Sequence, residues 1–307
     1  MQERHGTSME GRDNGRQSHP FDLSGKTIWI AGHAGMVGQA LVRRLAAEPV
    51  TLLTVDRREL DLTRDAAVAS FINETRPDAI IVAAARVGGI LANSRYPVEF
   101  LTENLAINLN IARAAHAADI DRVLFLGSSC IYPRLAPQPI AEDALLTGPL
   151  EPTNQFYALA KIAAVKLAEA YSTQFGRNYV AAMPTNLYGP GDNFDPETSH
   201  VIPALIRKAH EAHQRNAPHF ELWGTGTARR EFLHVDDCAE ALLLILKTCS
   251  GSSPINVGCG EDIPLIMLAH LIREIVGFEG TIRLDPTRPD GAPRKRLDIT
   301  RLRDLGW

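Results

Sequence analysis

The chain has 307 residues, 45% hydrophobic and 22% charged, enough for one large domain or two lobes around a sizeable core. Its net charge of -4 at pH 7 argues against a nucleic-acid partner, although local basic spots can still hold a small phosphorylated ligand. No apolar run is long enough to span a membrane, and no signal-peptide core opens the chain.

Residues 1–20 are polar and without periodicity, and the segment 1–24 is expected to be a flexible extension. From Lys26 onward strand and helix signals alternate. "KTIWIAG" reads as a buried strand ending in glycine, and "MVGQALVRRLAA" as a helix. The strand "VTLLTV" ends at Asp56, the helix "RDAAVASFINETR" follows, and "DAIIVAAA" is again strand. Two long helices, roughly 97–117 and 155–175, flank the strand "RVLFLG", with Pro97 placed where a helix starts. "NYVAAMP" is the next strand. Near-continuous apolar strands alternating with helices predict a parallel sheet covered on both faces, hence a doubly wound α/β (Rossmann) fold over residues 25–185.

Beyond Pro184 the pattern loosens into "TNLYGPGDNFDPETSH", a loop long enough to suggest function. Then come a helix from "VIPALIRKAHEAH", a strand from "HFELWG", the segment "RREFLHVDD", a helix from "DCAEALLLILKT", a strand from "PINVGC" and a helix from "PLIMLAHLIREIVG". Residues 186–307 are expected to form a smaller, mainly substrate-binding lobe interleaved with the end of the sheet. "LDITRLRDLGW" shows no obvious closing element. The four cysteines, Cys130, Cys238, Cys249 and Cys259, have neither metal spacing nor a disulfide pattern. No metal is expected, and reduced thiols suit a cytoplasmic setting.

Three motifs carry chemistry. Gly32-His33-Ala34-Gly35-Met36-Val37-Gly38 joins the first strand to the first helix, where glycines permit a tight turn and helix N–H groups face an anion. This predicts a dinucleotide cofactor. At the end of the second strand, Asp56 suits the free 2′-hydroxyl of NAD, while Arg57 and Arg58 suit the 2′-phosphate of NADP, so these residues leave the choice open. Ser128 ends the fourth strand, where ligands lie in open α/β sheets. Tyr157 and Lys161 share a helix face, so an ammonium can lower the pKa of a phenol that otherwise titrates near pH 10.

Glycine turn, strand-end serine and Tyr-x-x-x-Lys in this order resemble the extended short-chain dehydrogenase/reductases. "AAARVGGI" (83–90), "LGSSCIYP" (126–133), "EPTNQFYALAKIA" (151–163), "MPTNLYGPGDNF" (183–194), "SHVIPALIRK" (199–208) and "REFLHVDD" (230–237) resemble one family among them, the GDP-L-fucose synthases. The resemblance implies 3,5-epimerisation of a GDP-4-keto-6-deoxy sugar followed by 4-keto reduction with NADP(H), in a homodimer built on the two long helices. It also implies roles. Cys130 and His200 would be the base and acid of epimerisation, Cys130 needing a pKa brought down from about 8.5. Ser128, Tyr157 and Lys161 would serve the reduction. Arg57 would contact the 2′-phosphate, and Leu126, Gly127, Ser128, Ser129, Pro184, Thr185, Asn186, Leu187, Lys161 and His200 would line the nicotinamide side. Lys208 and Arg230 would hold the diphosphate, Trp223 would touch substrate, and Asp290 the substrate nucleotide.

Three departures from the family pattern stand out. Ala34 replaces an arginine that many members direct at the 2′-phosphate. Asp56 adds a negative charge there, which keeps NAD(H) open. The chain stops about one helix before family members do. Two alternatives follow. An NAD-retaining nucleotide-sugar 4-epimerase suits Asp56 but needs neither Cys130 nor His200. A non-catalytic dinucleotide-sensing protein is at odds with an intact Ser128, Tyr157 and Lys161.

Overall fold

The computed structural model describes residues 20–251 and 253–307. Its first half alternates β1 (Thr27–Ala31), α1 (Met36–Leu45), β2 (Thr51–Leu53), α2 (Asp65–Thr75), β3 (Ala79–Val82), α3 (Ile90–Arg95), α4 (Pro97–Ala117), β4 (Arg122–Leu126), α5 (Gln155–Phe175) and β5 (Asn178–Pro184). The second half holds β6 (Asn186–Tyr188), α6 (Val201–Gln214), β7 (His219–Trp223), β8 (Arg229–Arg230), β9 (Phe232–His234), α7 (Val235–Thr248) and β10 (Ile255–Val257). It continues through β11 (Ile263–Pro264), α8 (Leu265–Val276), β12 (Thr281–Asp285), β13 (Arg294–Lys295) and α9 (Thr300–Asp304).

Six strands form one sheet in the order β10-β5-β4-β3-β1-β2, and every pairing is parallel. β3 and β4 are buried at every residue, as parallel strands covered on both faces require. Helices α2, α4 and α5 pack side by side, and α1 packs on α7. This is the doubly wound fold expected from the strand–helix alternation. The chain leaves β1 toward β2 on one side and then crosses to β3 on the other, so the loops after β1 and β3 diverge at the carboxyl ends of neighbouring strands. Such a divergence opens a crevice for a ligand.

A second, smaller core joins α6, β7, α8 and the Phe278 turn through Ile202, Leu205, Phe220, Leu222, Leu268 and Phe278. The chain does not stay in that lobe. Residues of α7, β10 and α9 return to the large core, where Val257 and Leu302 are fully buried. Two details differ from expectation. The expected extension runs to residue 24 and lies largely outside the described residues, yet within it Leu23 is buried at 3% exposure. Phe21 there donates its N–H to the Lys247 carbonyl and lies under the Arg122 guanidinium, so packing begins by Phe21. The C-terminal segment, with no periodicity to announce it, forms α9. Asp298 starts that helix by accepting the Thr300 N–H at 2.9 Å, and Leu302 then anchors it. A Leu302→Ala variant should lose about 2–5 kcal/mol of unfolding free energy in urea titration, since little can collapse into the hole at a fully buried site.

Candidate active site

The turn after β1 is tight enough to demand glycine. Gly32 has φ +89°, and a Cβ there would lie 2.5 Å from the Ala84 nitrogen. A Cβ on Gly38 would lie 2.1 Å from the Gly32 oxygen, so α1 could not dock against the turn. Gly35 caps α1 without a side-chain acceptor, leaving the first helical N–H groups to any anion brought to the cleft. Gly35, Met36, Val37 and Gly38 line that cleft. Closely packed glycines and an uncapped helix start fit the pyrophosphate of a dinucleotide.

The cleft has a volume of about 480 Å³ and runs from this turn along the carboxyl ends of β4 and β5 to the small lobe. Its middle section gathers Ser128, Cys130, Tyr157, Lys161 and His200, drawn from the β4 end, α5 and the start of α6. Leu126 to Ser129 and Pro184 to Leu187 form its floor. The Ser128 Oγ accepts the Cys130 N–H at 3.3 Å and so caps the short turn Ser129–Ile131. The hydroxyl thus holds the turn that carries the thiol. Lys161, at 2% exposure, donates to the Leu126 carbonyl at 2.7 Å, and its Nζ lies 5.8 Å from the centre of the Tyr157 ring. Tyr157 also meets Phe100 edge-on at 6.2 Å.

Burial dominates the charges here. It pushes the Cys130 thiol up, against the pull of Lys295, the Ser128 hydrogen bond and Lys161. It lowers the Lys161 ammonium to about 8 and raises the Tyr157 phenol. The ammonium was expected to bring the phenol down. Here burial and the Cys130 charge push the phenol up instead. His200 opens onto the cleft but is crowded by protein, and desolvation holds its imidazole below the ordinary value while Asp192 pulls it up.

The far wall is cationic. Lys208 lies 4.7 Å from the Trp223 ring centre and Arg288 4.9 Å from it. Arg230 donates to the Asp290 carbonyl at 3.0 Å. The Asp290 carboxylate is itself engaged by the Thr225 N–H at 2.8 Å, so this residue ties two loops together. Two residues of this wall receive no role in the sequence reading. Lys295 is brought beside Arg230 by the parallel pairing of β13 with β8, and burial lowers its pKa while Cys130 raises it. Glu151, at 6% exposure, also lines the cleft. Lys295 stands in "RPDGAPRK", where only the charge was a signal, and pairing of two-residue strands leaves no periodic trace.

The adenosine end is a recess of about 210 Å³ lined by Gly32, His33, Ala34, Gly35, Arg57 and others from the β3 loop and α4. Asp56 lines neither space. It is largely exposed and lies 3.7 Å from His33 Nε2. Arg57 faces Glu103 of α4, which also binds Arg86; Arg86 stands in "AAARVGGI" without an assigned role, and Glu103 stands in none of the motifs.

A Rossmann sheet, a glycine turn on an uncapped helix, and Ser, Tyr and Lys on one cleft define a dinucleotide-dependent oxidoreductase or epimerase of the short-chain type. Residues 28–258 match the NAD dependent epimerase/dehydratase family. The chain is 52% identical over 93% of its length, and 91% of the relative's, to a GDP-L-fucose synthase of Sinorhizobium fredii. It superimposes with a TM-score of 0.87 on a GDP-6-OMe-4-keto-L-xylo-heptose reductase from C. jejuni, at 31% identity over 94% of both chains. A GDP-L-fucose synthetase from Naegleria fowleri bound to NADP gives 0.85, at 26% identity over 94% of this chain and 90% of that one. The chain belongs to the NAD dependent epimerase/dehydratase family and, within it, to the GDP-L-fucose synthases. A Gly38→Ala variant should lose dinucleotide binding in fluorescence titration, because its Cβ strikes the Gly32 carbonyl.

Proposed function

We propose that this protein converts GDP-4-keto-6-deoxy-D-mannose to GDP-L-fucose, inverting C3 and C5 and then reducing C4 with NADPH. The observation that carries the reading is that Cys130 and His200 line the same cleft as Ser128, Tyr157 and Lys161, and we read them as a second proton-transfer pair. A plain reductase or a 4-epimerase has no use for that pair. The relatives' names and an NADP-bound neighbour support the same substrate and cofactor.

NADPH, when bound along the glycine turn, supplies the hydride. The residues do the rest. Cys130, once a thiolate, removes the acidic proton beside the C4 ketone, and His200 returns a proton on the opposite face. Lys161 and Lys295 lie within electrostatic reach of the thiol and favour its anion. Ser128 holds the C4 oxygen by hydrogen bond. Tyr157, kept protonated by burial, gives that oxygen its proton, and the Lys161 ammonium steadies the phenolate left behind. Lys208 and Arg230 hold the diphosphate, and Trp223 supplies a flat apolar face.

In ²H₂O without NADPH, deuterium should enter C3 and C5 faster as pH rises from 7 to 9. The Cys130 thiol titrates above its ordinary value, so its thiolate fraction still grows across that range. Cys130→Ser should cut the exchange by about a hundredfold or more. With NADPH, kcat/KM for reduction should fall above pH of about 8, where free-enzyme Lys161 loses its proton, and Lys161→Arg should shift that limb upward. Oxidation of neither NADPH nor NADH by the GDP-sugar would remove the proposal.

The reading includes assembly and setting. Val98 and Leu109 of α4 and Phe156 and Leu159 of α5 are exposed apolar side chains, and pairing of two copies through these helices covers them. Light scattering should give twice the 33.6 kDa chain mass. All four cysteines are free thiols, in keeping with the reducing cytoplasm. Among the described residues no helix is long and apolar enough to cross a membrane.

A further inference from the structure

The recess at the adenosine end holds an arrangement of charges that the reaction does not explain. Glu103 divides its carboxylate between two arginines. Its Oε1 lies 2.8 Å from Arg86 Nη1, and its Oε2 lies 3.6 Å from Arg57 Nη2. Arg86 is fixed independently. Its guanidinium lies 5.7 Å from the ring centres of Tyr96 and of Phe100, and its backbone is clamped by Asn104 through bonds of 2.9 and 3.0 Å. Arg57 is loose by comparison, with its side chain 78% exposed and no hydrogen bond closing the gap to Glu103. Ala34 brings no charge to the recess, and Asp56 lies outside it, near His33. Arg57 is thus the exposed cation of this recess and Glu103 the anion it pairs with, while Asp61, which also lines the recess, adds a second negative charge in its field.

We propose that Glu103 is a specificity-determining residue, which sets the preference between NADPH and NADH by competing with the 2′-phosphate for Arg57. This rests on the dinucleotide reading above. With a free 2′-hydroxyl the Arg57–Glu103 pair persists as seen here. With a 2′-phosphate Arg57 turns to the phosphate and leaves Glu103 to Arg86, which satisfies it alone. The carboxylate opposes the phosphate both by its charge and by holding Arg57 back, so it weakens binding of the phosphorylated cofactor and spares the other. A Gln in its place keeps an amide oxygen for Arg86 and removes the competition.

The test is calorimetric binding of 2′,5′-ADP and 5′-ADP, which differ only in that phosphate, with no sugar or nicotinamide present. Glu103→Gln should tighten 2′,5′-ADP by about three- to tenfold and leave 5′-ADP unchanged. Arg57→Ala should remove most of the wild-type preference for 2′,5′-ADP. In the double variant the gain from Glu103→Gln should vanish, as coupling through Arg57 demands. Unchanged or weaker 2′,5′-ADP binding in Glu103→Gln, equal gains for both nucleotides, or a gain that survives Arg57→Ala overturns the proposal. So does an unaltered preference in Arg57→Ala alone, a surface change that decides the matter even where Glu103→Gln does not fold. Failure of the wild type to bind either nucleotide is a different result, and it removes the dinucleotide reading itself.

Discussion

An ammonium buried on a single backbone oxygen organises the working half of this molecule. Lys161 has 2% exposure, and its ammonium donates to the Leu126 carbonyl, the last of β4. Burying a charge with so little compensation is costly, and the lowered pKa expresses that cost. The bond adds a polar tie to the apolar packing of α5 against the sheet. From that point the strand end, the Ser128-capped turn with Cys130, and Tyr157 one helical turn before the lysine are all fixed relative to one another. A thiol two residues past a strand-end serine is therefore no loose filler. The hydroxyl caps the turn that carries it.

The sheet was readable because its strands are short, apolar and bounded. "AIIV" and "RVLFL" are buried at every position, and the two long helices begin and end where their periodicity does. The elements that escaped notice are α3, α9 and the short strands β6, β8, β9, β11 and β13, in which no period can register, together with β12, whose five mostly exposed residues form no apolar run. The site divides in the same way. Residues of the glycine turn, the strand-end serine and the Tyr-x-x-x-Lys pair announce themselves by spacing. Lys295, Arg86 and Glu103 do not, because each reaches its place through contacts distant in sequence: a parallel pairing with Arg230 for the first, packing of the β3 loop on α4 for the others. Electrostatics was the least legible layer. The four-residue spacing shows that Tyr157 and Lys161 share a face, but not how deeply the phenol is buried or that burial pushes it up.

The chain is acidic overall, yet one wall of the cleft concentrates Lys208, Arg230 and Lys295, with Arg288 behind it on the Trp223 ring. Each is held differently. Two flank the Trp223 ring, one is tied to the Asp290 loop, and one sits beside the thiol. Net charge hides this segregation. Local fields in a confined, low-dielectric cleft matter more to an anionic ligand than the sum over the surface.

The pairing of β13 with β8 also bears on how the molecule comes into being. Large-core contacts span great sequence distances, with Arg122 bonding the carbonyls of Leu246 and Cys249, and Leu297 giving its N–H to Glu231. The far wall stays incomplete until residues near the very end of the chain have emerged. A nascent chain leaving the ribosome thus presents its nucleotide-binding half well before the cleft has its second side. Until then the sheet lacks β10 at its edge, and the apolar faces that α7 and α9 will cover stand open to water. Synthesis of this protein passes through a stretch of time in which half a binding site, and an unprotected strand edge, must wait for the other half.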